Sequence, residues 1–354
     1  MAGRPILSFR ARKIPVGAAT KSHLRQIALR GEAVVFDLAA EPGALRAACE
    51  LAHALGLPVW GWIEVGRDEA AIHEHPEWMH APQHHEWLQA FPDWNGGHPA
   101  LVAPWLCVNN RAAFDYALAR VRTLVQQAPP LDGLFLNDIQ GPPAGCGCGN
   151  VLCRSWDNSP GEKIAPTPYA NPDVFFTQVF WKACADALAD TLPISRIFPI
   201  ICGECEIGVT LGGVESPDEK LGTCRGIVCS RPCALVYWPG MVRALSRENG
   251  GPESVGLLTP YKLFGRDVPL YGDTAAWVGA SVAHYRESDS TASVLAVVQG
   301  WSVSPDELAA QIEQAATHGA TGVLVLEEPL DQSWWPVSPP ADYTPSVPPI
   351  LCGS

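Results

Sequence analysis

The chain of 354 residues is 47% hydrophobic and 17% charged, a globular and not a disordered balance. Its formal net charge of −13 repels phosphate backbones, so nucleic acid is excluded as a partner. No run of about 18 apolar residues suggests a membrane span. The start of the chain lacks a signal-like apolar stretch, because Ile6-Leu7 is followed at once by Arg10, Arg12 and Lys13, and a cytoplasmic protein is expected.

In chain order, apolar strand-like runs alternate with helical ones. Strands are predicted at residues 6–10 and 33–39, then a helix at 42–55 and a third strand at 58–65. A helix over 109–127 carries Phe114, Leu118, Val121 and Val125 on one face at helical spacing, and strand four follows at 133–139. A helix at 171–191 leads to strand five at 196–203. Strands six, seven and eight are predicted at 254–260, 293–300 and 322–327. The helix at 305–318 has Ser304 before it, Pro305 in its first turn and Gly319 closing it.

Eight β/α units imply an α/β fold of the (β/α)8 TIM-barrel type over residues 1–335, with a proline-rich tail at 336–354. A doubly wound open sheet is the alternative; no G-x-G-x-x-G follows the first strand, so its dinucleotide-binding form has little support. The long connections, 66–108, 140–170, 204–233 and 261–274, all follow strands, on the face where barrel enzymes place their sites.

The sharpest local motif is C-x-C-x4-C at Cys146, Cys148 and Cys153, with Cys107 as a possible fourth member. Four thiolates close a tetrahedral structural zinc site, and Gly147 and Gly149 let the backbone wrap a metal. Disulfides or scattered core thiols are the alternatives. Twelve cysteines in all are many for a cytoplasmic protein. Cys202 and Cys205 form a C-x-x-C at the end of strand five, followed by Cys224, Cys229 and Cys233. These are consistent with a second metal site or with disulfides, and disulfides would make the protein an exported one.

Acidic residues converge on the strand ends. Asp138 ends strand four, Glu204 and Glu206 follow strand five, and Glu327-Glu328 end strand eight; Asp37 and Glu64 lie at strands two and three. Hydrolysis of a glycosidic bond needs two carboxyls, one protonated as acid and one ionised as nucleophile or base. Asp138 is the first candidate because Asn137 precedes it at a strand end, and Glu204 or Glu327 is the expected second member. The loop after strand three holds Trp78, Trp87 and Trp94. It also holds His73, His75, His80, His84, His85 and His98, six of the ten histidines of the chain. Aromatic faces stack on sugar rings, and histidines hydrogen-bond hydroxyls. Trp60, Trp62, Trp301, Trp334 and Trp335 lie near other strand ends. Asn137, Trp62, Trp78, His84, Trp87 and Trp301 are therefore expected to contact substrate, with a core-packing role as the alternative for the tryptophan-rich loop. A catalytic metal on His73 and His75, or on His84 and His85, is a competing use of the same loop. Lys262 and Arg266 follow strand six; a Lys at a strand end can form a Schiff base, and a salt-bridged surface Lys is the commoner case.

The order of Cys107, then Asn137-Asp138, then Cys146, Cys148 and Cys153 resembles the family 42 glycoside hydrolases, zinc-containing β-galactosidases of the large retaining-glycosidase barrel clan. The pattern covers roughly the middle third of the chain. The resemblance implies a glycosidase, a carbohydrate substrate, and zinc held by those four cysteines. It departs at two positions: an Asp stands at 138 in place of Glu, and Gln299 stands where the clan carries its nucleophilic Glu. A metal-dependent hydrolase and a carbohydrate-binding barrel without catalysis are the rival functions.

Overall fold

In a computed structural model, the structure describes residues 7–66, 68–75, 78, 106, 110–137, 139, 172–202, 251–259, 275–288 and 293–328. Eight strands alternate with helices along these segments. They are β1 (Phe9–Lys13), β2 (Ala33–Asp37), β3 (Val59–Glu64), β4 (Gly133–Asn137), β5 (Ile197–Cys202), β6 (Ser254–Thr259), β7 (Ser293–Gln299) and β8 (Gly322–Leu326). All neighbours pair in parallel, and β1 closes on β8, so the sheet is a closed barrel in sequential order. The helices are α1 (Lys21–Leu29), α2 (Pro42–Ala54), α3 (Glu69–Glu74), α4 (Arg111–Gln127), α5 (Pro172–Ala187), α6 (Ala276–Ser288) and α7 (Pro305–Thr317).

Local chemistry starts and stops these helices. Ser304 and Glu307 form a reciprocal capping box on α7, and Pro305 occupies its first turn. Gly319, two residues past that helix, has φ +97°, a conformation that favours glycine. Asn110 caps α4 by accepting from the amides of Ala112 and Ala113, and Thr20 caps α1 through His23. The buried face of α4 comprises Ala113, Ala117, Val121 and Val125, with Phe114 and Leu118 half-buried beside it.

Side chains alternate along each strand between two apolar layers. Trp60, Phe135, Phe198, Ile200, Leu295, Val297, Leu324 and Leu326 fill the barrel interior. Val34, Phe36, Ile63, Leu134, Leu136, Val323 and Val325 face the helices. The floor of the interior is aromatic. Trp60 lies 5.0 Å from Phe9, 5.1 Å from Phe135 and 5.0 Å from Phe198, centroid to centroid. Gly133, the register partner of Trp60, leaves room for it, since a methyl there would fall on the indole ring.

Strand one differs most from expectation. It runs from Phe9 to Lys13, not over residues 6–10. Three basic residues in five discourage a strand reading, yet each has a place. Arg10 is exposed, Arg12 is buried among acids outside the barrel, and Lys13 ends the interior row begun by Phe9 and Ala11. Among the described residues, no helix is long and apolar enough to cross a membrane.

Candidate active site

The interior row of each strand ends at the carboxyl-side mouth, and on six of the eight strands the last member there is polar. Lys13 follows Ala11, Asp37 follows Val35, Glu64 follows Trp62, Asn137 follows Phe135, Gln299 follows Val297, and Glu328 follows Leu326 by the same alternation. Glu64 is the best-held of the acids. Its Oε1 accepts from the Trp62 indole N–H at 2.8 Å, and its Oε2 accepts from Asn137 Nδ2 at 2.8 Å. Glu64 and Asn137 are register partners on adjacent strands, which is why the two side chains meet. Asn137 is 1% exposed, and its Oδ1 has no hydrogen-bond partner among the described residues.

The backbone beneath Glu64 is fixed from outside the barrel. Arg120 on α4 donates to the Glu64 carbonyl at 2.7 Å and lies 3.1 Å from Asp68. Asp68 also caps α3 and accepts the Tyr116 hydroxyl at 2.8 Å. Burial, then the hydrogen bond and charge of Asp68, push the Tyr116 phenol upward. Across the mouth, Lys13 pairs with Glu328 and stands 5.4 Å from the centre of the Trp62 ring. Asp37 accepts from the Ala39 amide at 2.8 Å. At the end of β7, the wholly buried Gln311 of α7 grips the backbone of Gln299, accepting from its N–H at 3.0 Å and donating to its carbonyl at 2.9 Å. Gln299 Nε2 donates to the Trp301 carbonyl at 3.0 Å.

Several expected site residues occupy unexpected places. Glu327, expected as a mouth acid, lies one residue out of phase with the interior row. Its carboxylate meets Arg12 at 2.7 Å and His23 of α1 at 3.2 Å, on the outer side of the barrel. Burial opposes the charge on Arg12, but the hydrogen bonds and charges of Glu32 and Glu327 outweigh it and raise its pKa. Trp62 is in the interior but fully covered, with its indole N–H on Glu64, and Trp60 belongs to the floor. Trp301 is half-buried against the interior layer. Trp78 stacks on His75 at 3.9 Å and packs on the helix-facing layer near Tyr116. Lys13, Glu64 and Glu328 complete the mouth; Glu64 and Glu328 were visible as strand-end acids, whereas Lys13 was hidden by the misplaced first strand.

Asp138, Glu204, Glu206, His84, Trp87, Cys107, Cys146, Cys148 and Cys153 lie outside the described residues, as do Cys205, Cys224, Cys229, Cys233, Lys262 and Arg266. Among the described residues, no three His, Cys, Asp or Glu side chains converge as a metal site.

With this geometry in hand, comparison with known proteins gives the fold its context. No family model matches the chain, and no curated protein matches it. Solved structures do. A β-galactosidase from the psychrophilic Marinomonas ef1 superposes with a TM-score of 0.54 at 11% identity, over 90% of this chain and 54% of that one. A cold-adapted β-galactosidase from Rahnella sp. R3 gives 0.50 at 8% identity, over 91% of this chain and 50% of that one. The glycoside hydrolase domain of PelA from Pseudomonas aeruginosa gives 0.46 at 13% identity, over 90% of this chain and 94% of the domain. The chain spans about half the length of the two β-galactosidases. The shared feature is the (β/α)8 barrel.

Proposed function

We propose that the protein is a glycoside hydrolase that cleaves its carbohydrate substrate at the barrel mouth with a pair of carboxylates. The observation that carries this reading is Glu64, an acid ending a barrel strand and fastened by two donors, Trp62 and Asn137. Donors on both oxygens hold the carboxylate in one orientation, as a nucleophile or base at a strand end requires. The general acid is assigned to the loops after strands four and five, with Asp138 the first candidate and Glu204 the second. Glu327 is a weaker choice than its neighbour Glu328, because Arg12 and His23 already engage it away from the interior. Asn137, one residue before Asp138, offers its free amide oxygen to a sugar hydroxyl. Trp87, His84, Trp78 and Trp301 remain candidates for the rim of the sugar site. The two β-galactosidases that superpose on the barrel support the same class of activity.

Structural zinc on Cys107, Cys146, Cys148 and Cys153 is part of the proposal, supported by the spacing and softness of four thiols. It would pin the loops after strands three and four and supply no chemical step. Elemental analysis after dialysis should find zinc, and Cys148→Ser should lower zinc content and thermal stability together.

Turnover tests the central assignment. A panel of aryl glycosides and plant or microbial oligosaccharides should yield a cleaved substrate. Asp138→Asn should then lower turnover by about 10²–10⁴ with the fold retained. Wild-type turnover in folded Asp138→Asn would transfer the acid role to Glu204. Sugar binding without cleavage anywhere in the panel would support a binding barrel instead.

A further inference from the structure

We propose that Arg120 is a positioning residue for Glu64: anchored on Asp68, its guanidinium fixes the peptide from which the Glu64 side chain projects. The inference rests on the glycosidase reading for what that side chain does in the reaction. The need for such a residue arises where the sheet runs out. On the edge of β3 that faces β2, the Trp62 carbonyl accepts from the Leu38 amide at 3.0 Å. The next carbonyl on the same edge, two residues on, belongs to Glu64. Its counterpart on the other strand would be the Ala40 amide. But β2 ends at Asp37, and the Ala40 amide turns back to the Asp37 carbonyl at 3.3 Å. The ladder therefore leaves the Glu64 carbonyl without that donor, and a main-chain carbonyl requires one. Arg120 Nη1 supplies it from α4 at 2.7 Å.

Arg120 is itself held in place. Its Nε lies 3.1 Å from Asp68 Oδ2, and the two side chains are only 19% and 12% exposed, so water screens the pair weakly. Asp68 is fixed in turn. Its Oδ1 accepts from the Ala71 amide at 2.9 Å as the cap of α3, and its Oδ2 accepts the Tyr116 hydroxyl at 2.8 Å. Tyr116 and Arg120 stand one turn apart on α4 and so reach the same carboxylate. A guanidinium presents Nε and Nη1 in one rigid plane, which lets Arg120 bridge a side chain and a main-chain carbonyl at a fixed separation. Glu64 is thus gripped at both ends, its carboxylate by Trp62 and Asn137 and its peptide by Arg120. A reacting group has to be held to within about 0.5 Å, and a hold on the carboxylate alone would let the strand end drift beneath it.

The Trp62 indole N–H, which donates to Glu64, reports the hold on that acid without any substrate. In the full chain labelled with 15N-tryptophan, its signal is the one lost in Trp62→Phe and moved in Glu64→Gln. Arg120→Met should move the same signal, and Arg120→Lys, which keeps the charge but not the planar fork, should restore it in part. Val121→Ala trims the buried face of the same helix and should leave the signal in place. On an identified substrate, Arg120→Met should lower kcat about ten- to hundredfold with KM little changed, the pattern of a misplaced reacting group. Val121→Ala should keep kcat. Should Arg120→Met fail to fold, Tyr116→Phe loosens Asp68 alone and should give a smaller displacement of the indole signal. An unmoved signal in the folded variants would overturn the positioning role, whatever the protein catalyses. An equal movement in Val121→Ala would also overturn it, since Arg120 would then serve only the packing of α4. A moved signal with kcat unchanged would uphold the hold on Glu64 and remove that acid from the reaction, which counts against the glycosidase reading instead.

Discussion

The floor and the mouth of the barrel use the same strands a few residues apart and are built on opposite principles. On β1, β3 and β4 the interior positions change from Phe9, Trp60 and Phe135 at one end to Lys13, Glu64 and Asn137 at the other. The floor is an aromatic stack with Phe198 that excludes water, and glycine at 133 removes the side chain that would obstruct Trp60. The mouth holds charged groups that are costly to bury unless paired. Lys13 pairs with Glu328, Glu64 accepts from Asn137 and Trp62, and Asp37 accepts the Ala39 amide; among the described residues the Asn137 amide oxygen meets no donor. Apolar packing is concentrated at one end of the interior and polar side chains at the other, so substitutions at the two ends should have separable effects.

The largest expected effects test that separation directly. Glu64→Gln should lower turnover of an identified substrate by about 10²–10⁴ while leaving the melting transition nearly in place. A large loss of stability in this variant would show that the acid is held for structure. Trp60→Ala should do the reverse, reducing unfolding free energy by about 3–5 kcal/mol in urea titration. If Trp60→Ala melted like the parent, the aromatic floor would not be a stability element. Gly133→Ala should cost about 1–3 kcal/mol, because the added methyl meets the packed Trp60 ring and the core must shift.

Smaller effects sharpen the contrast between inner and outer acids at one strand end. Glu327→Gln removes a partly exposed partner of Arg12, which keeps Glu32. A loss of about 1 kcal/mol or less is expected, with turnover retained. Glu328→Gln frees Lys13 inside the mouth and should change kcat/KM more than stability. The smallest effect at neutral pH concerns Cys49, whose thiol is pushed up to about 11 by burial and, secondarily, by Glu50. The thiol is neutral in folded and unfolded chains at low pH, so no stability changes there. As pH rises past the ordinary thiol value of 9.0 toward about 11, the unfolded chain loses its proton first, and folding stability should decline over that window. Peptide mapping after alkylation at pH 8 should find Cys49 among the slowest cysteines to react; rapid labelling would contradict its burial.

Seven of the eight strands were legible in the sequence to within a residue or two at each end, because strands buried on both faces read as continuous apolar runs bounded by polar residues. Val34–Phe36 and Val294–Val298 are of that kind, and the caps at Ser304 and Pro305 marked α7 as clearly. Strand one was not, since Arg10, Arg12 and Lys13 look like a solvated segment until their partners are known. Those partners, Glu32, Glu327 and Glu328, are distant in sequence from β1, two of them near the other end of the chain, and only closure of β1 on β8 brings these two to it. The helices α1, α3 and α6 also escaped the sequence reading. Two of them are short or weakly patterned, with Glu69–Glu74 a single turn and a half and α6 apolar on several sides.

The sequence by itself determined the barrel, through the count and period of its strands, and determined that strand ends would carry acids. It could not decide which acids face inward. Glu327 and Glu328 are chemically equivalent in the sequence, and a one-residue difference in phase sends one to Arg12 and the other to Lys13. In the same way, the meeting of Glu64 with Asn137 depends on the register of β3 against β4, a contact across 73 positions of chain. Strand phase and register are properties of the closed sheet, set by the packing of all eight strands at once, and so only the tertiary structure assigns the mouth its chemistry.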